Sequence, residues 1–265
     1  MKKFLKFLGA VAGLVVLLVA ALAVFVMLTL KPNLPGSEFA LQPLPAEAGR
    51  NVIVFGATGK LGTEIVRDLR EHGDQVTAFV RASSDRSQLD PLGVNFAVGD
   101  VLDPASVQAA FQAGNFDAAI ATIAGLSEAD LDRQGNINVA DAAVATGVQR
   151  VIFISTVGAG DSREAAPLIS RLALSKILPQ KTAAEEHFRA SGLSYTIIRP
   201  GGLPPGVVPT GRGILSEDPA TMGFIKRPDL ARLVVGVLYD DRTIGKTLAA
   251  VDPDLQRPWE GGDPE

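Results

Sequence analysis

The chain has no cysteine. Disulfides, thiolate nucleophiles and cysteine-ligated metals are therefore excluded together, and the redox character of its compartment leaves no mark on the sequence. Histidine is almost as scarce: His72 and His187 are the only two, and neither stands in a His/Asp/Glu cluster at ligand spacing, so no metal site is expected. The soluble part lacks any block of lysine and arginine, and the net charge is −4 with a pI near 5.3. Nucleic acid, which demands a cationic footprint, is set aside as a partner on that ground. Tyrosine is rare too, with only Tyr195 and Tyr239 in the chain.

What is present is 265 residues, 47% of them hydrophobic, enough for one sizeable domain with additions. No charged residue interrupts Phe7 to Leu30, and roughly 20 apolar residues suffice for a helix to cross a bilayer. A cleaved signal peptide is the rival reading, with Lys2, Lys3 and Lys6 as its basic start and Ala21-Leu22-Ala23 as its cleavage site. The apolar run continues through Val24 to Leu28 instead of giving way to a polar mature start, which favours an uncleaved anchor. The expected organisation is an N-terminal transmembrane helix and membrane anchor over residues 1–30, a proline-rich linker over 31–49 and a single folded domain over 50–265. The lipid bilayer, through residues 7–30, is then an expected partner. The three early lysines outweigh Lys31 and argue for a domain outside the membrane, whereas a cytosolic cofactor pool argues for the cytosolic face, which is the side taken here.

From Asn51 onward short apolar runs alternate with amphipathic stretches. The runs are Val52–Phe55, Val76–Val80, Val94–Val98, Ala118–Ile123, Val151–Ile154, Tyr195–Ile198 and Lys246–Val251. Helical patterns cover Lys60–Glu71, Pro104–Ala113, Asp132–Thr146, Pro179–Ala190 and Pro228–Leu238. Strands without a polar face, separated by helices, predict an α/β fold: a Rossmann-like doubly wound parallel sheet.

In "VIVFGATGKLG" the glycines Gly56, Gly59 and Gly62 stand between the first strand and the first helix. Gly56 suits a sharp turn, Gly59 a close approach of backbone to a pyrophosphate, and Gly62 close packing of helix on sheet. Unpaired N–H groups at the helix start would meet the phosphates. The candidate cradle is Gly56, Thr58, Gly59, Lys60, Leu61 and Gly62. A site selective for NAD would place an acid near the end of the second strand, but Arg81 stands there with Ser83, Ser84 and Arg86 nearby. A cation suits a 2′-phosphate, so NADP(H) is expected ahead of NAD(H).

Together with "GDVLDPASV", "GNINVADAAVATGVQRVIFISTVGA", "KTAAEEHFRASGLSYTIIRPGGL" and "IKRPDLARLV", the glycine motif resembles the atypical short-chain dehydrogenase/reductase proteins of the NAD(P)H-binding, NmrA-like group. The resemblance spans Arg50 to Asp252. It implies that Asp100 and Val101 contact the adenine, that Ala124 and Gly125 line the cofactor, that Ser155 and Thr156 sit beside the nicotinamide, and that Pro200, Gly201 and the residues to Leu203 pass its carboxamide. Simpler roles exist: Asp100 or Asp103 as caps of the helix beginning at Pro104, and Ser155 as the satisfied end of a strand.

Reductases of this superfamily use a Tyr-x-x-x-Lys pair, in which the lysine lowers the phenol's pKa and the phenol gives a proton to the carbonyl oxygen. Lys181 holds the lysine place and Ile177 the tyrosine place. Pro179 is expected at the first position of its helix, which would keep residues 177 and 181 off a shared turn. Tyr195 and Tyr239 read as packing residues, and His187 as a solvated helix residue. Two functions follow. One is an NADPH-dependent oxidoreductase acting on a flavin, quinone or other conjugated acceptor, which can take its proton from water, with Lys181, Ser155 and Thr156 orienting the acceptor. The other is a regulatory or assembly module for a membrane complex, keeping the cofactor as a ligand.

Overall fold

The computed structural model describes residues 32–45, 49–125 and 130–255. Among the described residues, eight strands and six α-helices build the domain. The strands are β1 (Asn51–Phe55), β2 (Gln75–Val80), β3 (Asn95–Val98), β4 (Ala118–Ala121), β5 (Arg150–Ile154), β6 (Ser194–Pro200), β7 (Ile214–Ser216) and β8 (Thr247–Val251). The helices are α1 (Lys60–His72), α2 (Pro104–Gln112), α3 (Asn136–Thr146), α4 (Leu168–Ala173), α5 (Ile177–Ala190) and α6 (Arg227–Tyr239), and a π-helical turn over Leu131–Gly135 leads into α3.

The sheet runs β3-β2-β1-β4-β5-β6-β8-β7, parallel except where β7 pairs antiparallel with β8. This is a Rossmann-like α/β sheet whose chain order reverses between β1 and β4. Strands β1, β4 and β5 are buried almost throughout, because helices cover both faces. One face packs Val52, Val54, Ile120 and Ile152 against α1 and α6, and the other packs Ile53, Phe55, Phe153 and Ile197 against α2, α3 and α5. Alternate residues of one strand thus enter different cores, which is why these runs carry no polar face.

Residues 32–45 run along the domain instead of leaving it. Asn33 pairs with Met222, the Phe39 amide donates to Leu215 O at 2.7 Å and the Gln42 amide donates to Asp240 Oδ2 at 3.0 Å. Phe39 and Leu41 pack on the core, and a Cβ on Gly236 of α6 would come within 2.7 Å of Leu41. The expected membrane localisation is corrected here: no helix among the described residues is long and apolar enough to cross a membrane. The expected span, residues 7–30, lies outside the described residues, and the membrane reading is withdrawn.

Candidate dinucleotide site

The C-terminal ends of the parallel strands surround the turn from β1 into α1. Gly56 adopts φ +81°, and a Cβ there would lie 2.6 Å from Thr122 O. A Cβ on Gly62 would lie 2.1 Å from Gly56 O, inside any permissible contact. Glycine at these positions lets the helix start against the strand it follows. No side chain caps α1 at Gly59, which leaves its first N–H groups to a ligand. Backbone this close, with an uncapped helix start aimed at the reversal of strand order, fits a dinucleotide pyrophosphate.

Two adjoining cavities open there, sharing Gly59, Thr122, Ile123 and Ala124. The first, about 220 Å³, is lined by Gly56, Thr58, Arg81, Asp100 and Val101 among others. The second, about 580 Å³, is lined by Lys60, Leu61, Gly62, Gly125, Ser155, Thr156, Lys181, Pro200 and Gly201, with Ile177 beside them. The expected cradle, adenine, nicotinamide and lysine residues border one of two contiguous spaces, as do Pro200, Gly201 and Leu203, whereas Gly202 lines neither. A third concavity of about 630 Å³ lies at the opposite ends of the strands, around Arg50, Arg150 and Tyr239. It has no glycine turn, and parallel sheets bind ligands at the other edge.

Near the first cavity, the Ser84 hydroxyl accepts from the Arg81 amide at 3.1 Å, and Arg86 stacks on Phe96 at 4.8 Å. Asp100 lies in the turn before α2, its carboxylate accepting from the Leu102 amide at 2.9 Å, while Asp103 caps α2 through the Ala105 amide at 3.0 Å. In the second cavity Ser155 is buried and donates to Glu185 at 2.6 Å, and the Thr156 hydroxyl donates to Val157 O at 3.3 Å.

Pro179 does not begin its helix. Helix α5 starts at Ile177, with Pro179 third, where an amide would have lacked an intrahelical partner in any case. Ile177 and Lys181 are consequently one turn apart on one face, and both border the cavity. The two residues keep the spacing of a Tyr-x-x-x-Lys pair, with an alkyl group at its first position. Lys181 is buried, donating to Ile123 O at 2.7 Å and Ile154 O at 3.0 Å, with Asp132 at 3.1 Å. Burial lowers its pKa from the usual lysine value, opposed by the charge of Asp132 and then of Glu185. Two backbone carbonyls accept from it and Asp132 pairs with its charge, so the lysine ties the ends of β4 and β5 to the π-helical turn.

The other titratable candidates lie elsewhere. Tyr239 hydrogen-bonds Asp74 and stacks under Arg50 at the opposite end of the sheet, and burial followed by Asp74 raises its pKa. Tyr195 packs against the helix-covered core, and His187 meets Asp141 at 2.6 Å on the surface.

Several participants were not foreseen. Asp132 was read as the start of a helix, but the π-helical turn carries it under Lys181. Glu185 is fully buried between Ser155 and Arg199, whose Nη2 donates to Glu185 at 2.6 Å, while Arg199 Nη1 donates to Asp161 at 2.5 Å. Only its i+4 spacing from Lys181 could have flagged it. Arg227, the first residue of α6, also borders the larger cavity.

A glycine turn into an uncapped helix at the switch point of a parallel sheet, with a Tyr-x-x-x-Lys remnant beside it, defines a dinucleotide-binding domain of the short-chain dehydrogenase/reductase type. The profile of the NAD(P)H-binding family matches residues 56–241, and the chain belongs to that family, in its atypical, NmrA-like group. It is similar to the uncharacterized sugar epimerase YhfK of Bacillus subtilis, with 28% identity over 77% of this chain and 94% of that one. It matches the photosystem II assembly factor Ycf39 of Cyanophora paradoxa at 31% identity over 60% of this chain and 47% of that protein. Among solved structures, the anaerobilin reductase ChuY of Escherichia coli O157:H7 superposes with a TM-score of 0.71 at 27% identity, over 78% of this chain and 99% of that one.

Proposed function

We propose that the protein is an NADPH-dependent reductase of a flavin, quinone or other conjugated acceptor, working without a protein acid. The observation that carries this is Ile177 on the cavity one turn from Lys181, where a carbonyl reductase needs a phenol. NADPH, when bound, supplies a hydride. The glycine turn and the start of α1 hold the phosphates, and Arg81 receives the 2′-phosphate, which favours NADPH over NADH. Lys181, paired with Asp132 and tied to Ile123 O and Ile154 O, and the Ser155 hydroxyl, held by Glu185 at 2.6 Å, fix the wall against which the acceptor lies. An acceptor that delocalises the incoming electron pair takes its proton from water and needs no phenol. The similarity to ChuY, named as an anaerobilin reductase, supports a conjugated acceptor.

A second reading is a non-catalytic assembly or regulatory protein that keeps NADP(H) as a ligand, favoured by the similarity to the Ycf39 assembly factors. NADPH oxidation with a panel of flavins and quinones, beside NADPH binding followed by fluorescence, separates the two. Binding with oxidation supports the reductase, and binding with no oxidation by any acceptor supports the second reading.

A further inference from the structure

The larger cavity has a mainly apolar wall, with Ile154, Leu174, Ile177, Leu203 and Pro200 on it, and four charged residues: Lys60, Asp132, Lys181 and Arg227. Asp132 and Lys181 compensate each other at 3.1 Å. Lys60 belongs to the glycine turn at the head of α1, where the dinucleotide phosphates are met. Arg227 remains. It is the first residue of α6, not part of the glycine turn, and Nη1 donates to Pro204 O at 3.1 Å. No carboxylate of the described residues forms an ion pair with it, since none lies within 4.0 Å. Asp229, two residues on, is turned to the Thr210 and Gly211 amides at 2.8 Å each.

The support of Arg227 is stiff. The Gly202 amide donates to Gly223 O and the Ile225 amide to Gly202 O, both at 2.9 Å, and a Cβ on Gly201 would lie 2.2 Å from Gly223 O. Burial draws the guanidinium's pKa below the usual arginine value. A partly desolvated cation on an apolar wall, with no carboxylate of the described residues paired to it, is an unfavourable arrangement that an incoming anion relieves.

We infer that the acceptor joins a flat, apolar, conjugated body to an anionic group, and that Arg227 receives that group by charge-assisted hydrogen bonds. This rests on the reductase reading above and names the class of substrate that reading leaves open. The probes are riboflavin and its 5′-phosphate, FMN, which share a ring system and differ by a dianion. Titrated by flavin fluorescence into the full-length chain saturated with NADP⁺, FMN binds at least about tenfold more tightly than riboflavin. Arg227→Gln brings the two within about threefold by weakening FMN alone, Arg227→Lys retains part of the difference, and NADPH affinity is unchanged in both. Equal binding of the two flavins by the unaltered chain overturns the inference, and that comparison needs no variant to fold. A loss of NADPH affinity in Arg227→Gln as large as the loss of FMN affinity overturns it as well, because Arg227 would then be a cofactor contact. Tight, Arg227-dependent FMN binding with no NADPH oxidation supports the anionic subsite and refutes the reductase reading.

Discussion

Replacing Ile177 with tyrosine restores the one group that carbonyl reduction lacks here. Residues 177 and 181 are four apart on α5, which brings their Cβ atoms to about 5–6 Å and sets both side chains on the cavity face. The cavity, about 580 Å³, has room for a phenol. General acid catalysis supplies about 10²- to 10⁴-fold, equivalent to about 2.7–5.5 kcal/mol at 1.36 kcal/mol per decade. The lower end is expected, because Lys181 already donates to Ile123 O and Ile154 O and its charge is paired with Asp132, which weakens its pull on the phenol's pKa. NADPH oxidation with aromatic aldehydes and ketones should therefore rise by about 10² in Ile177→Tyr and not in Ile177→Phe, which matches the size without the hydroxyl. A folded, NADPH-binding Ile177→Tyr that reduces ketones no faster than Ile177→Phe would refute the shared-face geometry. Turnover of plain ketones by the unaltered chain at about 1–10 s⁻¹, an ordinary enzyme rate, would refute the absence of an acid.

Arg81→Ala should remove most of the preference for NADPH over NADH, a loss of about 1.5–3 kcal/mol read from paired cofactor titrations; equal affinities in the unaltered chain would contradict the assignment. Gly59→Val should abolish cofactor binding in a folded domain, since a Cβ there meets only Gly56 O at 3.1 Å, whereas Gly62→Ala should lower the melting temperature itself, its Cβ meeting the same oxygen at 2.1 Å. Thermal unfolding and NADPH titration of both variants check the contrast. Asp68 on α1 has its pKa raised to about 6, first by burial, with Arg232 opposing and Glu71 and Glu64 adding to it. A carboxyl whose folded pKa exceeds its unfolded value contributes stability that is present below about pH 4 and lost as pH rises through about 6. Asp68→Asn should thus stabilise the fold at pH 7 by more than at pH 4, the difference being on the order of 1 kcal/mol in unfolding free energy after allowance for its partial exposure to solvent; no difference between the two pH values would count against it.

The seven apolar runs became seven of the eight strands, and the five amphipathic patterns became helices, because a sheet covered on both faces writes buried strands as unbroken apolar runs. Strand β7 escaped: its three residues, Ile214–Ser216, pair only at the antiparallel edge with β8, too short a run to carry a period. The glycine turn was legible because backbone conformation and close approach dictate residue type there. The interior of the site was much less so. Pro179 suggests a helix start, yet tertiary packing begins α5 two residues earlier. Asp132 reaches Lys181 only because five residues form a π-helical turn before α3, and the Glu185–Arg199–Asp161 chain joins residues up to 38 apart in sequence. Local patterns hold no record of such partners.

The most direct test of the central claim follows NADPH oxidation by the full-length chain in stopped flow, with FMN, a naphthoquinone and benzaldehyde as acceptors at matched concentration. Oxidation by the flavin or the quinone at least about 10² faster than by the aldehyde is the result expected of a hydride site without a protein acid. Stoichiometric NADPH binding with no oxidation by any of the three, or an aldehyde rate equal to the flavin rate, would contradict it.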